Sequence, residues 1–420
     1  MEEWDIQYEQ GQDFENLQRA ATELRETDIP VAFPTETVYG LGADATRSSA
    51  VRAIFAAKGR PADNPLIVHV HSIAQLRMLL LGGKELRNGE LDPIPNIYKP
   101  LLKRFWPGPL TIILPAPTGS VLAPEVTAGL DTFGARMPRS ILSLALMRLA
   151  GVPLAGPSAN ASTRPSPTAA EHVKDDLDGR IHTIVDGGPC EVGVESTVVD
   201  GLSYPPTILR PGGVTVEQLR QCPGWEDVVV GYKDAHEQGT KPRAPGMKYR
   251  HYSPKAPVVL YEAGAKRPLI GDIAGQDKGY RSVGIIRSTS WPRDLGLNVE
   301  QDHASAVNPN GVVSSALSPL APADGSHRVP SNLLRSVIQH QIPRATHHIL
   351  RTSASHSISA WDIALGTSTE EVARGLFSAL RELDKKGVDV IFIEGIDDRS
   401  GDDIAVAVMN RLRKAAEIKI

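Results

Sequence analysis

The pattern of apolar and polar positions over residues 1–232 predicts one continuous α/β domain. Leu17, Ala21 and Leu24 recur at helical spacing behind Asp13, which we expect to cap that helix. Short apolar runs of strand length then alternate with further helical patterns. So many strands favour one large, mixed, twisted sheet flanked by helices. The predicted strands are 29–33, 66–70, 110–114, 133–136, 152–155, 181–185, 197–199 and 207–209, and the later helices are 51–58, 96–106, 140–150 and 215–221.

Residues 258–420 predict a second, smaller α/β domain. Its strands alternate with long amphipathic helices, a pattern that favours a parallel, doubly wound sheet. Residues 233–257 between the two domains are polar, basic and broken by Pro and Gly, so they predict a linker. Residues 295–345, rich in Ser, Pro, Asn and Ala, predict a disordered insertion. The predicted strands are 258–261, 283–287, 347–351 and 390–394, and the helices are 369–386 and 402–416.

Composition limits the classes of function. The chain has 420 residues, 41% of them hydrophobic and 22% charged, which fits two globular domains. A net charge of −4 argues against a general nucleic-acid coat, so an anion site must be local. Two cysteines, Cys190 and Cys222, are too few for a disulfide framework or a four-cysteine zinc site. The apolar runs are too short to span a membrane and the N-terminus is acidic, so we expect a cytoplasmic protein.

Two common nucleotide-binding signatures are absent from the sequence. No GxxxxGK[ST] phosphate loop occurs, and Gly40-Leu41-Gly42 is not continued by the third glycine of a dinucleotide fingerprint. If the chain binds a nucleotide, it does so with another arrangement.

Polar clusters follow the apolar strands instead. Residues 34–42, PTETVYGLG, place hydroxyls and a carboxylate where α/β sheets bind ligands. Lys58 and Arg60 flank a glycine at a predicted helix end, a geometry suited to phosphates. Each feature also has an ordinary explanation: a turn for the first, and cations favoured at a helix C-terminus for the second. A lone histidine on a strand, such as His69, is more often a structural hydrogen-bonding residue than a catalyst.

Further clusters extend this pattern along the chain. Arg136 lies on a strand that is otherwise small and apolar, so it requires a carboxylate or phosphate partner, internal or from a ligand. Residues 156–160 (GPSAN), 193–200 (GVESTVVD) and 208–213 (ILRPGG) each follow or contain a predicted strand. Together the clusters predict a basic, hydroxyl-lined cleft for a polyanion and a small amino acid.

The motifs PTETVYGLG, KGRPADNPLIVH, the RMP segment at 136–138, PSAN, ESTVVD and LRPGG occur in the order and approximate spacing of the YrdC-like threonylcarbamoyl-AMP synthases. The chain resembles that family over residues 12–222. The linker APGMKYRHYSPKAP and the ending IEGIDDRSGDDIAVAVMNRLRKAA resemble its two-domain members. The resemblance implies a YrdC-like mixed sheet followed by a Rossmann-like parallel α/β domain.

The resemblance also implies a reaction and a set of site residues. ATP, L-threonine and bicarbonate would give threonylcarbamoyl-AMP and pyrophosphate, with Mg²⁺ accompanying ATP through phosphate oxygens and water. The product would pass to a tRNA threonylcarbamoyl transferase complex, with at most weak contact to tRNA. The implied catalytic residues are Lys58 and Arg60, the threonine site is Thr35, His69, Arg136, Gly156 and Ser196, and the ATP site adds Asn64, Thr132, Ser158, Asn160, Ser166, Arg210 and Tyr249 to Lys58 and Arg60.

The linker and the second domain allow several interpretations. Basic and aromatic residues alternate over 241–255, which favours a flap that covers the cleft and excludes water, although a solvated hinge has the same composition. Residues 394–396 and 409–411 fit either packing or a site. The second domain is thus either a cover for the first or an independent ligand site.

Three other function classes compete with a synthase. A basic concave sheet also suits RNA, but the net charge is negative and no aromatic stacking array is visible on the strands. A hydrogenase-maturation carbamoyltransferase would need cysteine-rich zinc motifs that two cysteines cannot supply. Finally, the C-terminal half suits a protein-interaction role, with the insertion as a docking tail.

Overall fold

The computed structural model of the chain describes residues 11–87, 89–231, 251–274, 279–297, 299–300, 342–351 and 357–420. Most of the insertion predicted at 295–345 lies outside the described residues, as do residues 233–250 of the linker, which include Tyr249. The domain boundaries placed at 232 and 258 remain predictions.

The first domain is built on a nine-stranded sheet with the order β1-β2-β6-β3-β5-β4-β7-β8-β9. Its strands are β1 (Val31–Phe33), β2 (Gly40–Asp44), β3 (Ile67–His69), β4 (Leu110–Pro115), β5 (Thr132–Arg136), β6 (Leu154–Ala155), β7 (Thr197–Asp200), β8 (Thr207–Arg210) and β9 (Val229–Val230). Its helices are α1 (Gln12–Glu26), α2 (Ser48–Lys58), α3 (Ile73–Leu80), a 3₁₀ turn (Asn96–Tyr98), α4 (Lys99–Phe105), α5 (Pro124–Thr127), α6 (Ile141–Ala150), α7 (Ala170–Leu177) and α8 (Val216–Arg220).

This sheet is mixed, as the sequence predicts. The pairs β3–β5, β4–β7 and β8–β9 are parallel, and the remaining pairs are antiparallel. In the β3–β5 pair, His69 stands in register with Arg136 at the carboxyl ends of both strands. Because parallel strands end at the same edge of a sheet, two predicted site residues become neighbours there.

Several local predictions are corrected by the structure. Asp13 does not cap α1; Gly11 holds the N-cap position, and no side chain accepts a capping hydrogen bond. Residues 181–185 do not form a strand, since only Ile184 makes a single bridge to Ala32. The sequence prediction also missed β2. Its Gly40 lies so close to the Phe33 ring that a Cβ atom would be 2.6 Å from Cζ, which explains why glycine stands where this strand faces Phe33.

The second domain contains a seven-stranded sheet with the order β12-β13-β14-β11-β15-β10-β16. The strands β14, β11, β15, β10 and β16 are mutually parallel, whereas β12 and β13 add an antiparallel edge. The predicted Rossmann-like architecture is therefore confirmed, with that edge as an addition. The elements are β10 (Val258–Tyr261), α9 (Ile270–Ala274), β11 (Ser282–Arg287), a 3₁₀ turn (Arg293–Gly296), β12 (Val299–Glu300), β13 (Thr346–Arg351), β14 (Ser357–Ala364), α10 (Thr369–Lys386), β15 (Val390–Glu394), α11 (Asp403–Ala415) and β16 (Ile418–Lys419).

The two domains share a hydrophobic core. Val38 and Val194 of the first domain belong to the same buried cluster as Tyr252 of the linker and the inner faces of α10 and α11. Gly193 packs directly on the backbone of α10 and has φ of +81°, so a side chain there would collide with Arg374. None of the described helices is long and apolar enough to span a membrane.

Candidate active site

A cavity of about 50 Å³, lined by both polar and apolar side chains, lies at the carboxyl ends of β3 and β5. Eight of the residues that sequence analysis selects line it: Thr35, Arg60, His69, Arg136, Gly156, Ser158, Ser196 and Arg210. Two further lining residues, His251 and Tyr252, belong to the segment predicted as a flap. The others lie within the predicted motifs but were not assigned a role individually: Thr37, Val38, Gly40, Ile67, Pro157 and Glu195. Three guanidinium groups therefore converge on one cavity from widely separated segments.

Thr35 shapes the loop between β1 and β2. Its hydroxyl oxygen accepts from the backbone N–H groups of Thr37 and Val38 at 3.1 and 3.2 Å, and the hydroxyl donates to the Val38 carbonyl at 2.6 Å. Pro34 sets the exit of the chain from β1, and the polar turn follows at once. The loop thus presents two threonine hydroxyls to the cavity.

The sequence left open whether the partner of Arg136 is internal or part of a ligand. In the structure, Arg136 has an internal carboxylate partner. Its Nη2 lies 2.8 Å from Glu36 Oε1, and both side chains are at most 5% exposed. Nη1 donates to Thr37 Oγ1 at 2.9 Å and Nε to the Gly108 carbonyl at 3.2 Å. The guanidinium is thereby held in one orientation while it lines the cavity.

His69 is a neutral imidazole beside that guanidinium. Burial, together with the positive charge of Arg136, lowers the pKa of His69 to about 3. Its Nδ1 is buried and has no hydrogen-bond partner in the described part of the chain. A Cβ atom on Gly156 would lie 2.7 Å from this Nδ1, so the ring can take its place only opposite a glycine. A buried imidazole nitrogen without a hydrogen-bond partner, on a residue that lines a cavity, is a candidate contact for a ligand.

Lys58 faces the loop after β6 and is not among the residues that line the cavity. Its amine donates to the carbonyls of Ser158 and Asn160, the latter at 2.6 Å. Burial lowers the pKa of this lysine well below its ordinary value. The Asn160 amide donates to the carbonyls of Ala161 and Arg164 at 2.8 and 2.9 Å. Lys58 and Asn160 therefore set the course of the segment that brings Ser158 to the cavity.

Glu195 is the carboxylate of the cavity, and residues from both domains surround it. Its oxygens accept from Ser166 Oγ at 2.6 Å and from Arg411 Nε of α11 at 3.0 Å. Burial alone would raise the pKa of Glu195, but Arg411 and Arg210 hold it at about 2. Arg210 in turn donates to the Ser196 carbonyl at 2.9 Å and to its hydroxyl at 3.0 Å.

Two residues at the described end of the linker, His251 and Tyr252, line the cavity. Tyr252 is 1% exposed, its ring lies 5.2 Å from that of Phe377 on α10, and its hydroxyl is hydrogen-bonded to Glu195. Burial lowers the pKa of His251 to about 3, so this ring is neutral as well. The placement of both residues agrees with the flap hypothesis better than with a solvated hinge.

The remaining predicted residues are not among those that line the cavity. Asn64 is 8% exposed and its Oδ1 has no hydrogen-bond partner among the described residues. Thr132 begins β5 and so lies at the opposite end of that strand from Arg136, about 13 Å away at the usual rise. Ser166 reaches the cavity only through Glu195.

The described residues contain no cluster of three or more His, Cys, Asp or Glu side chains with the geometry of a metal site. The residues that line the cavity include three arginines, Arg60, Arg136 and Arg210, but one carboxylate, that of Glu195. Such a lining suits a polyanion.

The chain is similar over nearly its whole length to several named proteins. The family described as "Telomere recombination" matches residues 23–212, and the one described as "Threonylcarbamoyl-AMP synthase, C-terminal domain" matches residues 214–417. The threonylcarbamoyl-AMP synthase of Schizosaccharomyces pombe is 42% identical over 421 residues, which cover 96% of this chain and 88% of the relative. The Bacillus subtilis protein of the same name is 41% identical, with 95% and 92% covered.

A solved structure agrees with these sequence relatives. The crystal structure of P. abyssi Sua5 complexed with L-threonine shares 36% sequence identity with this chain and has a TM-score of 0.68. The match covers 98% of both chains, and therefore both domains.

Proposed function

Because this chain belongs to the two-domain threonylcarbamoyl-AMP synthase family, we propose that it makes threonylcarbamoyl-AMP from ATP, L-threonine and bicarbonate. It would thus act as an adenylate-forming nucleotidyltransferase. The observation that supports this best is the convergence of Arg60, Arg136 and Arg210 with the unpartnered Nδ1 of His69 in one cavity.

The chemistry takes place in two steps. The amine of threonine combines with bicarbonate to give the carbamate and water. A carbamate oxygen then attacks the α-phosphorus of ATP, a new P–O bond forms, and the bond to the β-phosphate oxygen breaks to release pyrophosphate. Neither step requires a covalent enzyme nucleophile; both require positioning of the reactants and neutralisation of negative charge.

The threonine end of the site would be the edge where β3 and β5 terminate. The Arg136 guanidinium, already oriented by Glu36 and Thr37, would bind the amino-acid carboxylate. Neutral His69 offers Nδ1 to a polar group of the substrate. Thr35 and Ser196 supply hydroxyls, and Gly156 leaves the space that the imidazole occupies.

ATP would lie along the arginines on the other side of the cavity. Arg60 and Arg210 provide charge for the phosphates, and Ser158 presents its hydroxyl from the loop that Lys58 holds. Asn64, Thr132, Asn160, Ser166 and Tyr249 remain predicted nucleotide contacts. Mg²⁺ would enter with the triphosphate on phosphate oxygens and water, and would neutralise part of its charge.

A cavity of about 50 Å³ is far smaller than the few hundred Å³ usual for a ligand site. In this proposal His251 and Tyr252 move outward to admit the substrates and then cover the bound reactants. Covering the site would protect the mixed anhydride product from water until a tRNA-modifying transferase takes it.

The test is pyrophosphate release from ATP by the full chain, with threonine and bicarbonate each omitted in turn. We expect release only when both are present, together with a product that carries both the threonine carbon and AMP. Release that is independent of threonine would contradict the proposal. Salt-sensitive RNA binding without nucleotide turnover would favour the alternative of an RNA-binding module.

A further inference from the structure

Asp384 joins three segments that are distant in sequence. It lies near the end of α10 and its side chain is 3% exposed. Its Oδ1 and Oδ2 accept from the backbone N–H of Lys255 at 2.8 and 3.1 Å, and Oδ1 lies 3.4 Å from the N–H of Ala256. Its Oδ2 accepts from Arg164 Nη2 of the first domain at 3.0 Å. One carboxylate of the second domain thus holds the end of the linker against the first domain.

Arg164 continues this contact into a buried network. Its Nη1 lies 3.1 Å from Oδ1 of Asp176, whose side chain is fully buried on α7. Arg381 of α10 completes the network with two contacts to Asp176, at 2.7 and 3.2 Å. The two carboxylates and two guanidinium groups balance in charge, which buried ionic groups require.

The network borders the proposed active site on two sides. Asp176 accepts from the backbone N–H of Ala161 at 3.1 Å, and Arg381 Nε donates to the Pro165 carbonyl at 3.1 Å. The network therefore holds the segment between Asn160 and Ser166. The N–H of Ser253 donates to the Thr163 carbonyl of the same segment at 2.8 Å. Residues 253–256 are therefore fixed directly after the two linker residues that line the cavity.

We propose that Asp384 is a positioning residue for the synthase reaction: it anchors residues 253–256 so that His251 and Tyr252 close the cavity over bound reactants. The second domain would then contribute to the yield of adenylate without touching a substrate. This inference rests on the proposed function, because it assigns to the anchor the protection of that reaction's product.

Asp384→Asn is the direct test, since the amide keeps the size and one oxygen of the carboxylate but loses the charge and the second oxygen. Arg164→Met is the second variant; Arg164 is 25% exposed, so its removal spares the most buried part of the network. The matched control is Lys385→Met. Lys385 is the neighbour of Asp384 on α10 and pairs with Asp175 of the first domain at 2.7 Å, but at an exposed position.

Two measurements separate positioning from mere stability. The rate of hydrogen exchange in the peptide that contains Lys255 and Ala256 shows whether Asp384 protects these backbone amides in the substrate-free protein. The ratio of threonylcarbamoyl-AMP recovered to pyrophosphate released reports protection of the product. In Asp384→Asn we expect exchange at least tenfold faster and a ratio at least threefold lower; Arg164→Met should shift both in the same direction, and Lys385→Met should leave both unchanged.

The inference is overturned if hydrogen exchange in Asp384→Asn is as slow as in the wild type, or if Lys385→Met accelerates exchange as much as Asp384→Asn does. It is also overturned if exchange in Asp384→Asn is faster but the ratio of threonylcarbamoyl-AMP to pyrophosphate is unchanged. Failure of the proposed function has a different signature. Wild-type protein would then release no pyrophosphate in response to threonine, while the exchange comparison would still show whether Asp384 anchors the linker.

Discussion

Arg411 Nε of the second domain donates to Glu195 Oε2 of the first domain at 3.0 Å, and both side chains are buried. The same arginine also donates to the Pro211 carbonyl at 2.6 Å, one residue after Arg210 of the cavity. The cavity wall formed by residues 195–211 is thus supported from α11. The second domain is part of the site's framework, which favours a cover for the first domain over an independent ligand site.

Arg136→Ala is expected to weaken threonine binding first. Loss of the guanidinium removes the proposed carboxylate contact, so the KM for threonine should rise at least tenfold, or about 1.4 kcal/mol, while the KM for ATP changes less than threefold. Because Glu36 would be left as an unpaired buried charge, the double variant Glu36→Gln, Arg136→Ala controls for loss of fold. Arg139→Ala, at an exposed pair with Glu191, is the matched control. Wild-type threonine affinity in Arg136→Ala would exclude this role.

Gly156→Ala should displace the His69 ring. The added Cβ would stand 2.7 Å from Nδ1 and 3.2 Å from Cζ of Phe33, so the imidazole has to move. We expect kcat/KM for threonine to fall at least tenfold, with a stability loss of about 1–3 kcal/mol by thermal or chemical unfolding. Gly271→Ala, where nothing lies within 4 Å of the added atom, should leave activity unchanged. Equal activity of the two variants would show that the ring position does not matter.

The pH dependence of stability should reveal the charge on Glu195. Its folded-state pKa of about 2 lies below the unfolded value, so its contribution is fully present above pH 4.5 and is lost as the pH falls toward 2. This contribution corresponds to about 3 kcal/mol at neutral pH. The difference in unfolding free energy between wild type and Glu195→Gln should therefore be constant from pH 7 to 5 and shrink below pH 4.5. A difference that is independent of pH down to 3 would contradict the assignment.

His69 should act in its neutral form throughout the physiological range. Its pKa of about 3 means that no protonation occurs between pH 5.5 and 8. His69→Gln should raise the KM for threonine at least tenfold and leave the shape of its pH profile unchanged. His182→Gln, at a side chain that is 71% exposed, is the control. An inflection near pH 6.5 in the wild type that disappears in His69→Gln would refute this prediction.

Much of the fold was predictable because its signals are local. Apolar residues at helical spacing placed α2 correctly and put Lys58 at its end, and the capping box of Thr215 agrees with the predicted start of the helix at 215. The strand predicted at 181–185 was wrong because apolar character alone cannot supply a pairing partner; the segment forms a single bridge, from Ile184 to Ala32. The strand β2 was missed for the opposite reason. It has pairing partners, but its close packing on Phe33 leaves room only for glycine at Gly40, so the sequence lacks the usual apolar signal of a strand there.

The sequence by itself determined which residue types follow each strand, and therefore most of the cavity lining, because strand ends and turns depend on neighbours along the chain. Only the tertiary structure decided that Arg136 pairs with Glu36, that Lys58 turns to the segment at 158–160, and that Arg411 reaches Glu195. These partners are between 100 and 216 residues apart in the sequence. The periodicity of a sequence identifies the buried face of a helix or strand. The packing of the elements against one another determines which side chains contact that face.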